Sequence, residues 1–171
     1  MEKGLISEEL NNSLSELVGE LFAGNRILDR MMSILSVKFV MNKTALILHS
    51  GLAHKYPLLA DKISTYQASR NNLTSYPETP LDDSDYESPL DAFNKFLTYM
   101  RRLEGYVSEV IIETRNTNDL MTEEFLTQFL LGLNKYTEQA LLLVDKGELY
   151  INDWMSFDER IENFYILDEM V

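Results

Sequence analysis

Carboxylate and histidine side chains on helical faces are the groups in this sequence that could do chemistry. Glu104 stands in a row of apolar residues at three-and-four spacing, which marks one face of a helix. An ionised carboxylate that faces a protein core costs several kcal/mol unless it is paired, hydrogen-bonded or bound to a metal. We therefore expect Glu104 to be largely buried and to accept a hydrogen bond from a side chain of another helix. The row contains Leu90, Phe93, Leu97, Met100, Glu104, Val107 and Ile111.

Glu20 and His49 are two further candidates, and they belong to two other predicted helices. Glu20 flanks the apolar stripe of the first helix. His49 lies near the apolar face of the second helix, whereas His54, five residues later, points to nearly the opposite side of a regular helix. Glu20, His49 and Glu104 would together supply two carboxylates and one imidazole, a minimal ligand set for iron or manganese.

Each candidate also has a purely structural interpretation. His49 would form a hydrogen bond with a neighbouring carboxylate or backbone group, as histidines in helical proteins commonly do. Glu20 would be a solvated side chain at the flank of its helix. Glu104 would take part in an internal salt bridge or hydrogen bond, with His49, Arg26 or a tyrosine as its partner.

Composition argues against several other kinds of site. The sequence has no cysteine, which removes disulfides, thiolate metal sites and cysteine nucleophiles. It contains no glycine-rich phosphate-binding motif, no Gly-x-Ser-x-Gly and no His-Glu-x-x-His. A net charge of −13 opposes attraction to phosphate backbones or anionic lipid, so we expect no direct nucleic-acid binding.

Nothing in the sequence predicts targeting or membrane insertion. The N-terminal residues lack the apolar stretch of a signal peptide, and no run approaches the length of about eighteen apolar residues that spans a bilayer. We therefore expect a cytoplasmic protein that forms a single domain over residues 1–171.

Apolar periodicity predicts four long helices and a short fifth, and no strand. Ser7 and Ser88 are expected N-caps of the first and third helices. Pro57 should kink the second helix near Ala53, because proline lacks the backbone N–H and clashes with the preceding turn. The predicted helices cover residues 7–36, 43–70, 89–115, about 122–147 and about 152–168, and the four-helix core covers residues 7–148.

Residues 71–88 predict a long connection between the second and third helices. The segment contains two prolines, several acids and clustered serine, threonine and asparagine, which is typical of a loop. Helix-to-helix connections commonly need about two to eight residues, and this one is longer. A single long crossover lets the two helices that it joins run parallel, which is the topology of a ferritin-like four-helix bundle.

The second predicted helix resembles the corresponding helix of the DNA-protection (Dps) branch of the ferritin-like family. The similarity rests on Leu48-His49, on Tyr56 seven residues after the histidine, and on Ala60-Asp61 with the two residues that follow. With the surrounding helix plan, it covers roughly residues 8–148. The resemblance implies an all-α ferritin-like fold, assembly into homo-oligomers, and iron as the metal.

The same resemblance implies an inter-subunit ferroxidase site, and here the sequence departs from the family pattern. Val37, Ser64 and Ala68 stand where that branch carries a histidine, an aspartate and a glutamate. The other ferritin signature, Glu-x-x-His, is also missing. We therefore expect a ferritin-like, Dps-related oligomer that binds iron at most weakly and lacks efficient ferroxidase activity. A residual single-ion site would use His49 with Glu20 or Glu104.

Two other functions remain open from the sequence. One is a helical-bundle interaction or structural module without a metal, with the outer face of the second helix or the C-terminal helix as its contact surface. The other is a carboxylate-bridged oxidoreductase, for which one histidine near the core face supplies few ligands.

Overall fold

The protein is an all-helical bundle in its computed structural model, which describes residues 4–167, and this range contains no strand. This confirms the predicted helix plan, including the break near residue 41. The helical elements are α1 (Glu8–Val37), α2 (Asn42–Leu48), a π-helical turn (His49–Ala53), α3 (Lys55–Ser69), α4 (Pro89–Asn116), α5 (Leu120–Leu149), α6 (Trp154–Glu159) and a 3₁₀ turn (Ile161–Phe164).

The predicted caps set the starts of α1 and α4. The Ser7 side chain accepts a hydrogen bond from the Leu10 N–H at 3.3 Å. At α4, Ser88 and Asp91 form a reciprocal capping box, and Pro89 occupies the first turn. These bonds satisfy N–H groups that have no partner within the helix, so the two boundaries follow from local sequence.

The second helix of the bundle consists of α2, the π turn and α3. Pro57 cannot donate to the carbonyl of Ala53 four residues before it, and its ring clashes with that carbonyl. The Ala53 oxygen instead accepts a hydrogen bond from Asn25 Nδ2 of α1 at 2.9 Å. In the stretch where the sequence predicts a kink, the structure has a π turn with one extra residue.

The crossover spans residues 71–88 and lies against α1. Arg30 Nε donates to the Ser84 carbonyl at 2.9 Å, and Lys38 Nζ contacts Asp85 Oδ1 at 2.9 Å. Short links, 38–41 and 117–119, join the antiparallel pairs, and α1 packs against both the second helix and α4. The long link therefore lets the second helix and α4 run in the same direction, as predicted.

The C-terminal segment folds back over one end of the bundle. Its helix is shorter than predicted: α6 has six residues and is followed by a 3₁₀ turn, while position 168 lies outside the described residues. The buried Gln139 side chain donates to the Phe164 carbonyl and accepts from the Ile166 N–H, each at 2.8 Å. These bonds hold the segment in a non-helical path, because they use backbone groups that a longer helix would need.

Asp158 of α6 caps the start of α2, a helix that has no side-chain cap of its own. Its Oδ1 accepts from the Thr44 N–H at 2.7 Å, and its Oδ2 from the Lys43 N–H at 3.4 Å. A carboxylate at this place satisfies two free N–H groups and interacts favourably with the helix dipole. The cap is therefore supplied by the far end of the chain.

We expect Asp158→Ala to lower the free energy of unfolding by about 1 kcal/mol, the usual cost of removing an N-cap side chain. Glu159→Ala, at an exposed neighbour in α6, is the matched control and should change it by less than about 0.5 kcal/mol. Urea unfolding followed by circular dichroism measures both variants. Equal stability of the two would show that the Asp158 bonds do not stabilise α2.

Candidate functional site

The three candidate ligands predicted from the sequence have separate partners. Glu20 Oε2 accepts from Arg102 Nη2 of α4 at 3.0 Å. His49 Nδ1 lies 3.2 Å from Asp29 Oδ1 of α1. Glu104 accepts a hydrogen bond from the Thr137 hydroxyl of α5. Between residues 4 and 167 there is no group of three or more histidine or acidic side chains that could hold a metal ion, so the structure does not bring these candidates together.

Glu104 has the kind of hydrogen bond that the sequence predicts, with a different partner. It accepts a hydrogen bond from a side chain of another helix, as expected, and the donor is Thr137 rather than His49, Arg26 or a tyrosine. The side chain is half-buried, which places it between the core and the exposed surface. Its place in the apolar row therefore corresponds to the edge of the contact between α4 and α5, where solvent reaches the carboxylate.

His49 and His54 lie side by side, which corrects the expectation that they face opposite ways. Their ring centroids are 4.5 Å apart and the ring planes make an angle of 67°. In a regular α-helix, residues five apart differ by about 140° around the axis. The π turn adds one residue between them and brings His54 above His49. The pair is exposed, with 46% of the His49 side chain accessible to solvent, so neither ring is in the bundle core.

The centre of the bundle is filled by tyrosine and methionine. The fully buried Tyr56 hydroxyl donates to Met100 Sδ at 3.0 Å. Its ring contacts those of Tyr99 and Tyr136, with centroid distances of 5.7 and 5.9 Å. The Tyr99 hydroxyl donates to the Glu20 backbone carbonyl at 2.9 Å. Each helix of the bundle therefore places apolar or aromatic groups, rather than ligands, at this level.

This donor set does not fit a di-iron centre. Such centres in four-helix bundles use several carboxylates and histidines that project inward. The buried polar side chains of the part of the chain that the structure describes are serine, threonine and glutamine, with no acid or histidine among them. Burial raises the pKa of the Tyr56 and Tyr99 hydroxyls, so both are protonated near neutral pH in the metal-free protein.

The aromatic centre was missed in the sequence, although one signal for it was present. Gly24 occupies a stripe position of α1 that lacks a side chain, and the structure fills that gap with Tyr99. A Cβ atom at position 24 would lie 2.1 Å from the Tyr99 hydroxyl oxygen. A glycine in an otherwise apolar stripe thus indicated that a large side chain from another helix packs there.

Comparison with known proteins gives matches at the level of structure. No family model and no curated protein matches the sequence. A humanised archaeal ferritin aligns with a TM-score of 0.87 and 17% identity, over 97% of this chain and 99% of that one. An open-pore ferritin from the hyperthermophilic archaeon Archaeoglobus fulgidus aligns with a TM-score of 0.87 and 16% identity, over 93% and 97% of the two chains. An engineered closed form of the Archaeoglobus fulgidus ferritin gives 0.86 and 17%, over 96% and 99%.

The fold is ferritin-like. This confirms the fold class predicted from the helix pattern and the crossover, and the short C-terminal helix is part of it. At 16 or 17% identity, the likeness to these ferritins concerns the fold and carries no ligand set to this chain. No helix in the described range is long and apolar enough to cross a membrane.

The three positions that differ from the Dps pattern all lie away from the core of the ferritin-like fold. Val37 is 81% exposed at the end of α1. Ser64 is half-buried, and its hydroxyl donates to the Asp61 carbonyl of its own helix. Ala68 is exposed near the end of α3. None of them supplies a carboxylate or an imidazole.

We expect Gly24→Ala to lower the free energy of unfolding by about 1–3 kcal/mol, because the new methyl group overlaps the Tyr99 hydroxyl and overpacks the core. Gly105→Ala is the matched control, since no atom lies within 4 Å of its Cβ position in α4. That change should stabilise the protein by about 0.5–1 kcal/mol through helix propensity. Denaturant unfolding of both variants checks the prediction, and stabilisation by both would contradict the packing at Gly24.

We expect Thr137→Val to cost about 0.5–1.5 kcal/mol, because the half-buried Glu104 carboxylate loses its donor but can still be solvated. A fully buried carboxylate would cost about 3–5 kcal/mol. The double variant with Glu104→Gln closes a mutant cycle in urea unfolding, in which the coupling of the two residues should be positive. A coupling of zero would mean that the Thr137 bond does not contribute to stability.

Proposed function

We propose that this protein is the subunit of a ferritin-like, Dps-related homo-oligomer that associates with iron at most weakly and lacks efficient ferroxidase activity. The observation that carries the proposal is the Tyr56–Met100 pair at the bundle centre. A ferroxidase centre inside the bundle would need carboxylate and imidazole ligands for ferrous iron, its substrate, and these residues offer a protonated phenol and a thioether.

Relation to the Dps branch is supported by the sequence around His49, Tyr56 and Ala60-Asp61. In that branch the second helix carries ligands that a neighbouring subunit completes. Here the exposed His49 agrees with such a position, and the loss of ligands at positions 37, 64 and 68 agrees with a loss of turnover. The proposed subunit thus keeps the architecture of an iron protein without its oxidation centre.

Assembly is supported by apolar residues exposed at one end of the bundle, where α1 and α5 both end. The Thr44–Asp158 bond shows that the start of α2 and the end of α6 also meet there. Monomeric proteins rarely expose large apolar patches without a function, and subunit contacts are a common one. This end patch consists of Val37 (81% exposed), Val40 (71%), Leu149 (74%), Ile151 (50%) and Met155 (76%).

Analytical ultracentrifugation and ferrous oxidation test the two parts of the proposal separately. We expect a discrete oligomer that Ile151→Asp with Met155→Asp dissociates, because charges in an apolar contact are poorly solvated. Leu131→Asp, at a 64% exposed site on α5 away from the end patch, is the control and should leave the oligomer intact. A monomeric wild-type protein would contradict the assembly.

Iron chemistry is measured on the same wild-type preparation, with ferrous ion and oxygen or peroxide followed optically. We expect oxidation no faster than in buffer without protein. Rapid oxidation of two irons per chain that is lost in His49→Ala would instead identify a working ferroxidase, and would overturn the proposal whatever the oligomeric state.

The second candidate is a helical-bundle interaction module, and the outer face of the second helix favours it. Leu46 and Leu58 are 67% and 49% exposed. Twelve residues correspond to about 120° around a regular helix, but the extra residue of the π turn reduces this to about 20°. The two leucines therefore lie on one line, and a monomer in the centrifuge would favour this function over the first.

A further inference from the structure

The two histidines of the chain lie next to each other on the surface because of the π turn. The turn is fixed by the backbone itself, since the His54 N–H donates to the His49 carbonyl at 3.4 Å in the i to i+5 pattern. The ring centroids are 4.5 Å apart. At this separation, rotation about the side-chain torsions lets one nitrogen of each ring approach a common point, as in a pair of metal-binding histidines one turn apart.

Asp29 of α1 lies beside the first of these rings. Its Oδ1 is 3.2 Å from His49 Nδ1, and this oxygen is buried and has no hydrogen-bond partner, so the contact is one of proximity and not a formed hydrogen bond. A carboxylate beside Nδ1 favours the tautomer with the proton on that nitrogen, which leaves Nε2 free as a ligand. Metal-binding histidines usually donate a hydrogen bond to a carboxylate or carbonyl behind them, and Asp29 is the group in that place here.

Both rings are exposed to solvent, which leaves room for an ion and its water. An open groove of about 540 Å³ borders His49 on the side of α1, where Asp29 and Ser33 also line it, and His54 is not part of its lining. His54 is exposed, and the protein as a whole has a net charge of −13, which raises the local concentration of cations. No cysteine competes with the imidazoles for the metal.

We propose that His49 and His54 form a surface site for one divalent first-row transition metal ion, with Asp29 as the positioning residue and water as the remaining ligands. Two imidazoles without thiolate suit Cu²⁺ and Zn²⁺, and Cu²⁺ binds more tightly in the Irving–Williams order. Calcium and magnesium, which prefer oxygen ligands, are excluded by the same chemistry. The site is outside the bundle and does not include Glu20 or Glu104.

Isothermal titration with Zn²⁺ on tag-free protein stripped of metal tests the site. We expect one Zn²⁺ per chain, and a loss of affinity of at least about tenfold in His49→Ala and in His54→Ala, since each removes one of two protein ligands. Asp29→Asn should weaken binding by about 10–100-fold, the range found for partners that orient a ligand. Glu20→Gln and Glu104→Gln are the matched controls and should bind as the wild type does.

A spectroscopic measurement separates a ligand from a merely structural residue. With one equivalent of Cu²⁺, the electron paramagnetic resonance spectrum should show coupling to two imidazole nitrogens, and each histidine variant should show coupling to one. Circular dichroism confirms that the variants are folded. Absence of Zn²⁺ and Cu²⁺ binding, or binding that persists when both histidines are alanine, would overturn the proposal. Neither result bears on the assembly or iron assays, which use other readouts.

Discussion

Pro57 cannot donate a hydrogen bond to the Ala53 carbonyl, and much of the second helix depends on how that deficit is met. Asn25 of α1 supplies the missing donor, so the helix is tied to its neighbour at the place where its own bonding fails. The π turn accommodates one extra residue, and the chain stays helical on both sides of it. Every side chain after it is shifted in phase relative to a straight helix, and this shift decides which residues meet on the surface.

The interior of the bundle follows a different constraint, which is close packing of large side chains. Tyr56, Tyr99 and Tyr136 pack together at the centre of the bundle. The Tyr56 hydroxyl donates to the sulfur of Met100, and the Tyr99 hydroxyl donates to a backbone carbonyl. The arrangement excludes water and charge together, because a buried carboxylate would need a partner that the aromatic groups do not provide. Aromatic and thioether packing therefore fills the centre of this ferritin-like bundle in the part of the chain that the structure describes.

The sequence predicts the helices well because their information is local. Apolar spacing sets each buried face, and the caps at Ser7 and Ser88 fix two boundaries through bonds within four residues. The crossover is also readable, since prolines and acids cannot form a core helix. The contacts that the sequence predicts less well depend on the register between helices. Thr137 as the partner of Glu104, and Tyr99 in the gap left by Gly24, require knowledge of how α4 sits against α5 and α1.

The prediction that the two histidines face opposite ways is wrong for a different reason. Angular arithmetic along a sequence assumes 3.6 residues per turn throughout, and a single added residue invalidates it beyond that point. Pro57 predicts that the regular helix is interrupted, but it does not predict how. A kink, a 3₁₀ segment and a π turn all relieve the same clash. The candidate site on the second helix is thus a product of backbone geometry more than of residue spacing.

The cap that Asp158 gives to α2 has a consequence for how the chain is made. Thr44 and Asp158 are 114 positions apart, so the first turn of α2 leaves the ribosome long before the capping carboxylate of Asp158 has been synthesised. Synthesis proceeds from the N-terminus, so α2 gains this cap only after residue 158 has been made. The start of α2 is therefore completed late. A nascent chain released before α6 is made would leave the first N–H groups of α2 without their cap.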